Sequence, residues 1–268
     1  MALPAFFSCS SQQDKQPANS ITIKMDTLSV ADSIVDINDT KIIASSHVIV
    51  PSLPNADKDS TARLQNLFCR HMLHFSATNT SDFKETLTQY NQSIIDSYRI
   101  PEQNKEISNY LQDENTEIKV LRIEQEVQPI FHSGDLLCMS NEINTFKDGK
   151  LTMTSCKYYT FDLKSLTTVT VGDIFKEASI PHINALLKEQ LLKDTECSNA
   201  EQLIELGYFN IDFLAVTNNF TIDTDGISFH YEPYEIATYA LGKITIKLPY
   251  NVITDYIQET SPIINFIN

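Results

Sequence analysis

The sequence predicts an α+β fold in which antiparallel sheets pack with several helices, arranged in two subdomains. Stretches whose apolar residues recur at helical spacing are interleaved with β-type stretches of alternating or continuous apolar residues. Short turn signals such as Asp148-Gly149 join neighbouring β-type stretches, as expected of hairpins. This order favours antiparallel sheets over a doubly wound parallel sheet.

Composition excludes several classes of protein. The 268 residues are 42% apolar, which is enough to build a core, and 35 acidic against 20 basic side chains give a net charge of −15. Scattered basic residues and this charge argue against nucleic acid as a partner. The six glycines never cluster, which excludes glycine-rich phosphate loops, and no apolar run is long enough to span a bilayer.

The N-terminus predicts a lipid anchor. Residues 1–8 are apolar except for Ser8, Cys9 follows, and the next residues are polar at once. This pattern resembles the end of a bacterial lipoprotein signal peptide, in which the cysteine becomes the lipidated first residue. We therefore expect residues 1–19 to be a signal remnant and tether, lipidation at Cys9, a location in the bacterial cell envelope, and membrane contact only through the anchor. The alternative is an apolar N-terminus in which the cysteine has no such role.

Residues 20–114 form the predicted N-terminal subdomain. An alternating stretch begins at Ile21, and a run rich in Ile, Val and Ser ends before the prolines at 51 and 54. Two amphipathic stretches follow, the first preceded by the N-cap residue Asp57. The predicted elements are strands within 21–50, helices over 60–77 and 82–98, and a short helical piece at 107–111.

Residues 115–268 form the predicted C-terminal subdomain. Three β-type runs separated by Gly134 and by Asp148-Gly149 predict a three-stranded antiparallel meander, and Asp225-Gly226 predicts a second hairpin. The meander strands are predicted at 116–131, 136–146 and 151–161. The later elements are helical pieces at 171–175, 181–193, 199–206 and 251–258, and strands at 213–217, 220–223, 227–231 and 243–248.

The predicted meander also indicates which residues Cys138 and Cys156 face on the neighbouring strand. A two-residue Asp-Gly turn places Lys147 opposite Lys150, so that Cys138 faces Tyr159 and Cys156 faces Asn141. The two thiols then lie on opposite faces of the sheet and form no disulfide unless a bulge shifts the register. We expect free, buried thiols.

Motifs that carry chemistry are sparse. His71 and His74 lie three residues apart on a predicted helix near Cys69, but surface histidines explain this spacing as well as a metal site does. Neither a zinc-protease motif nor a nucleophile elbow occurs. The acidic residues are too many to pair by sequence, so a carboxylate dyad stays open without support. The sequence predicts no metal, cofactor or catalytic residue.

One long stretch carries a family resemblance. Phe229 to Gly242, followed by a β-type run to Tyr250, resembles the C-terminal domain of unknown function that the lysozyme-sensing anti-sigma factor RsiV shares with the non-catalytic region of the peptidoglycan deacetylase PdaC. Three further segments support this resemblance: Tyr159–Lys164, Val171–Lys176 and the predicted hairpin Thr221–Phe229. The similar region spans residues 115–258, and the N-terminal half resembles the companion domain. The motif residues, structural or binding, are Phe161, Asp162, Asp173, Phe175, Phe229, Tyr234, Glu235, Tyr239 and Gly242.

The resemblance implies a non-catalytic envelope lipoprotein that binds or senses an extracytoplasmic ligand or protein, either lysozyme-like or related to the cell wall. The alternative is a glycan-modifying enzyme of the cell wall or its accessory subunit. The net charge either keeps the protein soluble or steers a cationic partner. We expect Tyr234 and Tyr239 to be buried, packing the break at Pro233 against the sheet; the alternative is that they line a ligand site.

Overall fold

The computed structural model describes residues 21–36, 39–74, 82–99 and 118–267. The predicted tether with Cys9, the last residues of the first predicted helix and the predicted helical piece at 107–111 lie outside the described residues. Within them the α+β class is confirmed: a six-stranded sheet and a three-stranded antiparallel sheet pack with helices.

The large sheet follows chain order from β1 to β6. Its strands are β1 (Lys24–Val35), β2 (Lys41–Ser52), β3 (Val120–Ser133), β4 (Leu136–Lys147), β5 (Lys150–Asp162) and β6 (Thr167–Val169). Neighbouring strands are antiparallel except β2 and β3, which are parallel. The predicted meander is confirmed as β3, β4 and β5.

The parallel pair differs from the expected antiparallel pattern. A parallel pair needs a crossover, and the connection from β2 to β3 contains two helices and leaves no turn signal in the sequence. The predicted subdomain boundary near residue 114 falls in this connection, so that strands from both predicted subdomains share one sheet. Strand β2 also continues through Pro51. Its pairing with β3 ends at Val48, so no strand lies beside Pro51 on that side and the missing N–H is tolerated.

Two helices pack on one face of β1 and β2. Helix α1 (Lys58–Phe68) begins at Asp57, whose carboxylate accepts the Ser60 N–H, and α2 (Phe83–Tyr98) begins at Asp82 in the same manner. A π-helical turn over Cys69–Leu73 follows α1. The α2 prediction is confirmed nearly residue for residue.

A bulge in the meander corrects the cysteine prediction. Lys147 does face Lys150, but the register shifts between Thr145 and Phe146, so Cys138 faces Thr160 and Cys156 faces Glu142. The expected partners Tyr159 and Asn141 were therefore wrong by one residue. The shift places both thiols on the same face, four positions apart along the strands, or roughly 13 Å, too far for a disulfide. Both are buried and free, as expected.

The small sheet has the order β7 (Phe220–Ile222), β8 (Gly226–Tyr231) and β9 (Ile244–Pro249). The helices around it are α3 (Val171–Ile174), α4 (Ile180–Asp194), α5 (Ala200–Glu205), α6 (Tyr250–Ile253) and α7 (Ile264–Ile267). The strand expected at 213–217 was wrong, because 211–213 form a 3₁₀ turn and Phe213 is exposed. The last predicted helix is shorter and continues as a 3₁₀ turn, Thr254–Tyr256.

The small sheet packs beside β5 of the large sheet. Strand β6 pairs only with residues 160–162 of β5, so the preceding residues form an open edge. Asn219 lies at this edge: its side-chain oxygen accepts the Tyr158 N–H at 2.7 Å, and its nitrogen donates to the His230 carbonyl at 3.1 Å. Side chains thus satisfy an edge that a strand does not cover.

Candidate functional site

A pocket of about 340 Å³ lies between the meander and the segment 232–243, which crosses from β8 to β9. We call it the tyrosine pocket and the segment the crossing. The lining residues are Glu142, Thr154 and Cys156 from the meander and Glu232, Pro233, Tyr239, Gly242 and Lys243 from the crossing. The volume is at the lower end of the range for ligand pockets, which suits one small group.

Glu232 fixes the crossing to the large sheet. Its two carboxylate oxygens lie 3.2 and 3.1 Å from the backbone nitrogen of Cys156, on the open edge of β5. The Glu232 N–H in turn donates to the Glu235 carboxylate at 2.9 Å, and the Glu235 N–H donates to the Glu232 carbonyl. These bonds hold one carboxylate of the pocket in place before any ligand arrives.

The tyrosines of the crossing correct a prediction. Tyr234 is 69% exposed and Tyr239 is 45% exposed, so the prediction that both are buried was wrong. Their rings stack on each other with centroids 5.6 Å apart and an angle of 30° between planes. The alternative interpretation, that they line a ligand site, agrees with this placement, since Tyr239 also lines the pocket.

Tyr234 has a strained backbone. Its φ of 68° lies in the left-handed region, which is unfavourable for a bulky residue. Tyr234 is the third residue of a β-turn that the Glu235 N–H closes by donating to the Glu232 carbonyl at 3.0 Å, and its ring is exposed to solvent. Strain held at an exposed aromatic residue is typical of functional positions. Gly242, with φ 68° and ψ −151°, ends the crossing in a conformation that glycine adopts readily.

A layer formed by the exposed Lys243, the half-buried Tyr158 and the buried His230 lies next to the pocket. Lys243 donates to the Tyr158 hydroxyl, and its ammonium group lies 4.8 Å from the centre of that ring. The other contact of the Tyr158 ring is His230, at 4.1 Å between centroids. Both nitrogens of His230 lie 3.0 Å from threonine hydroxyls, those of Thr221 and Thr245.

The charges of this layer follow from its burial. Burial, with a smaller contribution from Lys243, lowers the pKa of His230 to about 4, so the ring is neutral at physiological pH. Partial burial alone would lower the pKa of Lys243, but the Tyr158 hydrogen bond and nearby groups, including Glu142, raise it above its ordinary value. Lys243 is therefore a fixed cation tied to Tyr158.

A polar row leads into the pocket across the exposed face of the large sheet. Residues directly opposite one another in β1 to β5 are Ser29, His47, Glu126, Glu142 and Cys156, and they point to one face. We call this set the acidic row. The Ser29 hydroxyl lies 2.8 Å from His47 Nδ1. Glu126 and Glu142 are like charges in opposite positions, an unfavourable arrangement that a cation would relieve.

A second, shallower cavity of about 460 Å³ lies along the acidic row. Ser29, His47 and Glu126 line it together with Glu124 and Asn144. Asn144 donates to the Glu142 carboxylate at 2.8 Å and so links this cavity to a residue of the tyrosine pocket. The two cavities are therefore neighbours on the large sheet.

The other predicted motif residues have structural contacts. Phe161, Phe175 and Phe229 are buried in the core. Asp162 accepts the N–H groups of the turn that follows β5, and Asp173 forms a capping box with Thr170 at the start of α3. The prediction therefore combined core and turn residues with those of the pocket, namely Tyr239 and Gly242, and those of its rim, namely Tyr234 and Glu235.

Sequence reasoning missed Glu142, Glu232 and Lys243 as site residues. Glu232 and Lys243 lie within the motif stretch, beside residues that were singled out. Glu142 offered no local signal, because its place in the pocket depends on the bulge that sets it opposite Cys156.

The predicted histidine pair, His71 and His74, lies near the end of α1 and is not part of the tyrosine pocket. The His71 ring is 5.6 Å from Tyr159 and 6.4 Å from Phe161, and His74 lies beside Tyr159. In the described part of the chain, no group of three or more His, Cys, Asp or Glu side chains is placed to hold a metal ion. No helix among the same residues combines the length and apolar character needed to cross a membrane.

Comparison with known proteins assigns part of the chain to a family. Residues 172–251 match the family described as a protein of unknown function, DUF3298. The match includes the small sheet and the whole crossing, so the similarity to this family covers both. No curated protein matches the chain.

Two crystal structures of DUF3298 family proteins resemble the fold. One, from Bacteroides fragilis NCTC 9343, has a TM-score of 0.78 and 21% identity, covering 93% of this chain and 99% of that one. The other, from Pseudomonas aeruginosa PAO1, has a TM-score of 0.59 and 11% identity, with coverages of 89% and 96%. At these identities the likeness concerns the fold, and it extends over both halves of the chain.

Proposed function

We propose that this protein is a non-catalytic, lipid-anchored protein of the bacterial cell envelope that binds a basic extracytoplasmic protein, of which a lysozyme is the representative. The observation that supports it best is the tyrosine pocket. Exposed, stacked aromatic rings at its rim and fixed carboxylates in its wall are features of recognition surfaces.

Charge supports the choice of a basic partner. Glu142 and Glu232 line the pocket, Glu126 belongs to the acidic row beside it, and the chain carries a net charge of −15. Such a surface attracts a cationic protein and accelerates its association. The resemblance of residues 115–258 to the anti-sigma factor RsiV supports the same kind of partner. The envelope location and the anchor at Cys9 rest on the N-terminal pattern.

Titration of the protein with a lysozyme, followed by calorimetry at low and at high salt, tests this function. We expect saturable binding at low salt that weakens as salt rises, because exposed charges are screened over about 8 Å at physiological ionic strength. Absence of saturable binding at low salt would contradict the proposal. Binding that does not weaken as salt rises would indicate an apolar interface and not the acidic surface.

One observation favours the alternative of a glycan-modifying enzyme: two carboxylates line the same pocket. The Cys156 N–H holds the Glu232 carboxylate in a fixed orientation, which suits an acceptor for a cationic ligand and so favours the binding function. The enzyme would release soluble products from purified peptidoglycan, and Glu142→Gln and Glu232→Gln would each abolish that release. A binding protein leaves peptidoglycan intact.

A further inference from the structure

We propose that the tyrosine pocket takes one arginine side chain of the basic partner, with the guanidinium group against the Tyr239 ring and between the carboxylates of Glu142 and Glu232. This inference rests on the proposed function and specifies its anchor. It follows from the size of the pocket, the charges in its wall and the aromatic rings at its rim.

The charges select a cation. Glu142 and Glu232 contribute two carboxylates to the wall, and Lys243, held by the Tyr158 hydroxyl, contributes one ammonium group, so the wall carries an excess of one negative charge. A neutral ligand that displaced water would leave this excess negative charge desolvated without a counter-charge, and the excess charge disfavours an anion. A cationic group satisfies the carboxylates and also relieves the repulsion between Glu126 and Glu142.

The geometry selects arginine over lysine. Tyr239 forms part of the pocket lining, and with Tyr234 it forms a stacked aromatic pair at the rim. A planar guanidinium stacks on an aromatic face and donates to two carboxylates at once, whereas an ammonium group is a compact, strongly hydrated point charge. A pocket of about 340 Å³ is large enough to admit one arginine side chain.

Blocked tripeptides with a central arginine, lysine or citrulline provide the direct test. Citrulline is the neutral counterpart of arginine and has nearly the same shape. Titrated into the 268-residue chain and followed by NMR, the arginine peptide is expected to bind most tightly, at least about fivefold better than the lysine peptide. Citrulline binding equal to that of arginine would overturn the inference, as would failure of the arginine peptide to bind.

Variants of the protein locate the contact. Glu232→Gln removes a charge but keeps an acceptor for the Cys156 N–H, and we expect it to weaken arginine binding at least about tenfold. Glu189→Gln, on the exposed side of α4, removes the same charge outside the pocket and is expected to have little effect. If the two variants weaken arginine binding equally, the attraction is long-range and the proposed contact of arginine with Glu232 is wrong.

Chemically modified lysozyme separates failure of the anchor from failure of the proposed function. Masking its arginines should abolish binding, whereas acetylating its lysines to the same net charge should mainly slow association. If unmodified lysozyme binds and both modifications act equally, the arginine anchor is wrong and the binding function stands. If unmodified lysozyme does not bind, the proposed function fails as well.

Discussion

The carboxylate of Glu232 accepts a hydrogen bond from the backbone N–H of Cys156. The Cys156 nitrogen lies 3.2 Å from one carboxylate oxygen and 3.1 Å from the other. One side chain from the end of the small sheet thereby closes the open edge of β5 in the large sheet. The same contact sets the position of the crossing and therefore the width of the tyrosine pocket. Structure and the proposed recognition depend here on one residue.

Substitution of Glu232 should separate these two roles. Glu232→Ala leaves the Cys156 N–H without its acceptor, and we expect the free energy of unfolding to fall by about 1–3 kcal/mol. Glu232→Gln keeps an acceptor and should lose less than about 1 kcal/mol. Urea denaturation measures both. Equal stability of the two variants would show that the bond does not hold the crossing.

Tyr234→Gly tests whether strain is held for function. Relief of the left-handed backbone strain, about 1 kcal/mol, should offset the loss of an exposed stacking contact of similar size. We therefore expect a nearly unchanged free energy of unfolding but at least about tenfold weaker lysozyme binding. Tyr98→Ala, which removes a tyrosine from the end of α2, is the control and should bind normally. A large loss of stability in Tyr234→Gly would instead support a packing role.

His230 should make stability depend on pH. Its pKa is lowered to about 4 in the folded state, so between about pH 6.5 and 4 the unfolded chain binds a proton that the folded chain does not. Stability is therefore retained above pH 6.5 and decreases as the pH falls through this window, by up to about 3 kcal/mol.

The variant His230→Gln isolates this contribution, because glutamine still offers a donor and an acceptor to Thr221 and Thr245. Denaturation at pH 7 and at pH 4.5 should show a smaller difference in the variant than in the wild type. An NMR titration of His230 with an ordinary pKa near 6.5 would contradict the expected burial effect.

The N-terminal prediction has its own test. Deletion of residues 1–19 should leave the thermal midpoint unchanged, because the segment is short and largely polar after Cys9. In cells, with a complete signal peptide placed upstream, Cys9→Ser should release the protein from membranes. A midpoint lowered by several degrees, or membrane attachment that survives the substitution, would contradict the tether and the anchor respectively.

Much of the fold could be predicted because local signals decide it. The Asp148-Gly149 turn fixed the meander and the apolar spacing of residues 83–98 fixed α2, since turn chemistry and periodicity depend on near neighbours. The parallel pairing of β2 with β3 could not be predicted, because it depends on how two helices return the chain to the sheet.

The site was predicted less completely for a similar reason. The motif stretch drew attention to Tyr234 and Tyr239, but their large aromatic side chains suggested burial, whereas both rings are exposed in the structure. The pocket position of Glu142 depends on a one-residue bulge in the meander, which the turn sequence does not encode.

NMR mapping of the lysozyme complex shows whether the tyrosine pocket is the recognition site, as we claim. With labelled protein and unlabelled lysozyme at low salt, we expect the largest amide shifts at residues 232–243 and at Glu142 and Cys156, and smaller ones along the acidic row. Shifts confined to the π-helical turn after α1 or to the surface of α4, with the crossing unchanged, would contradict the claim.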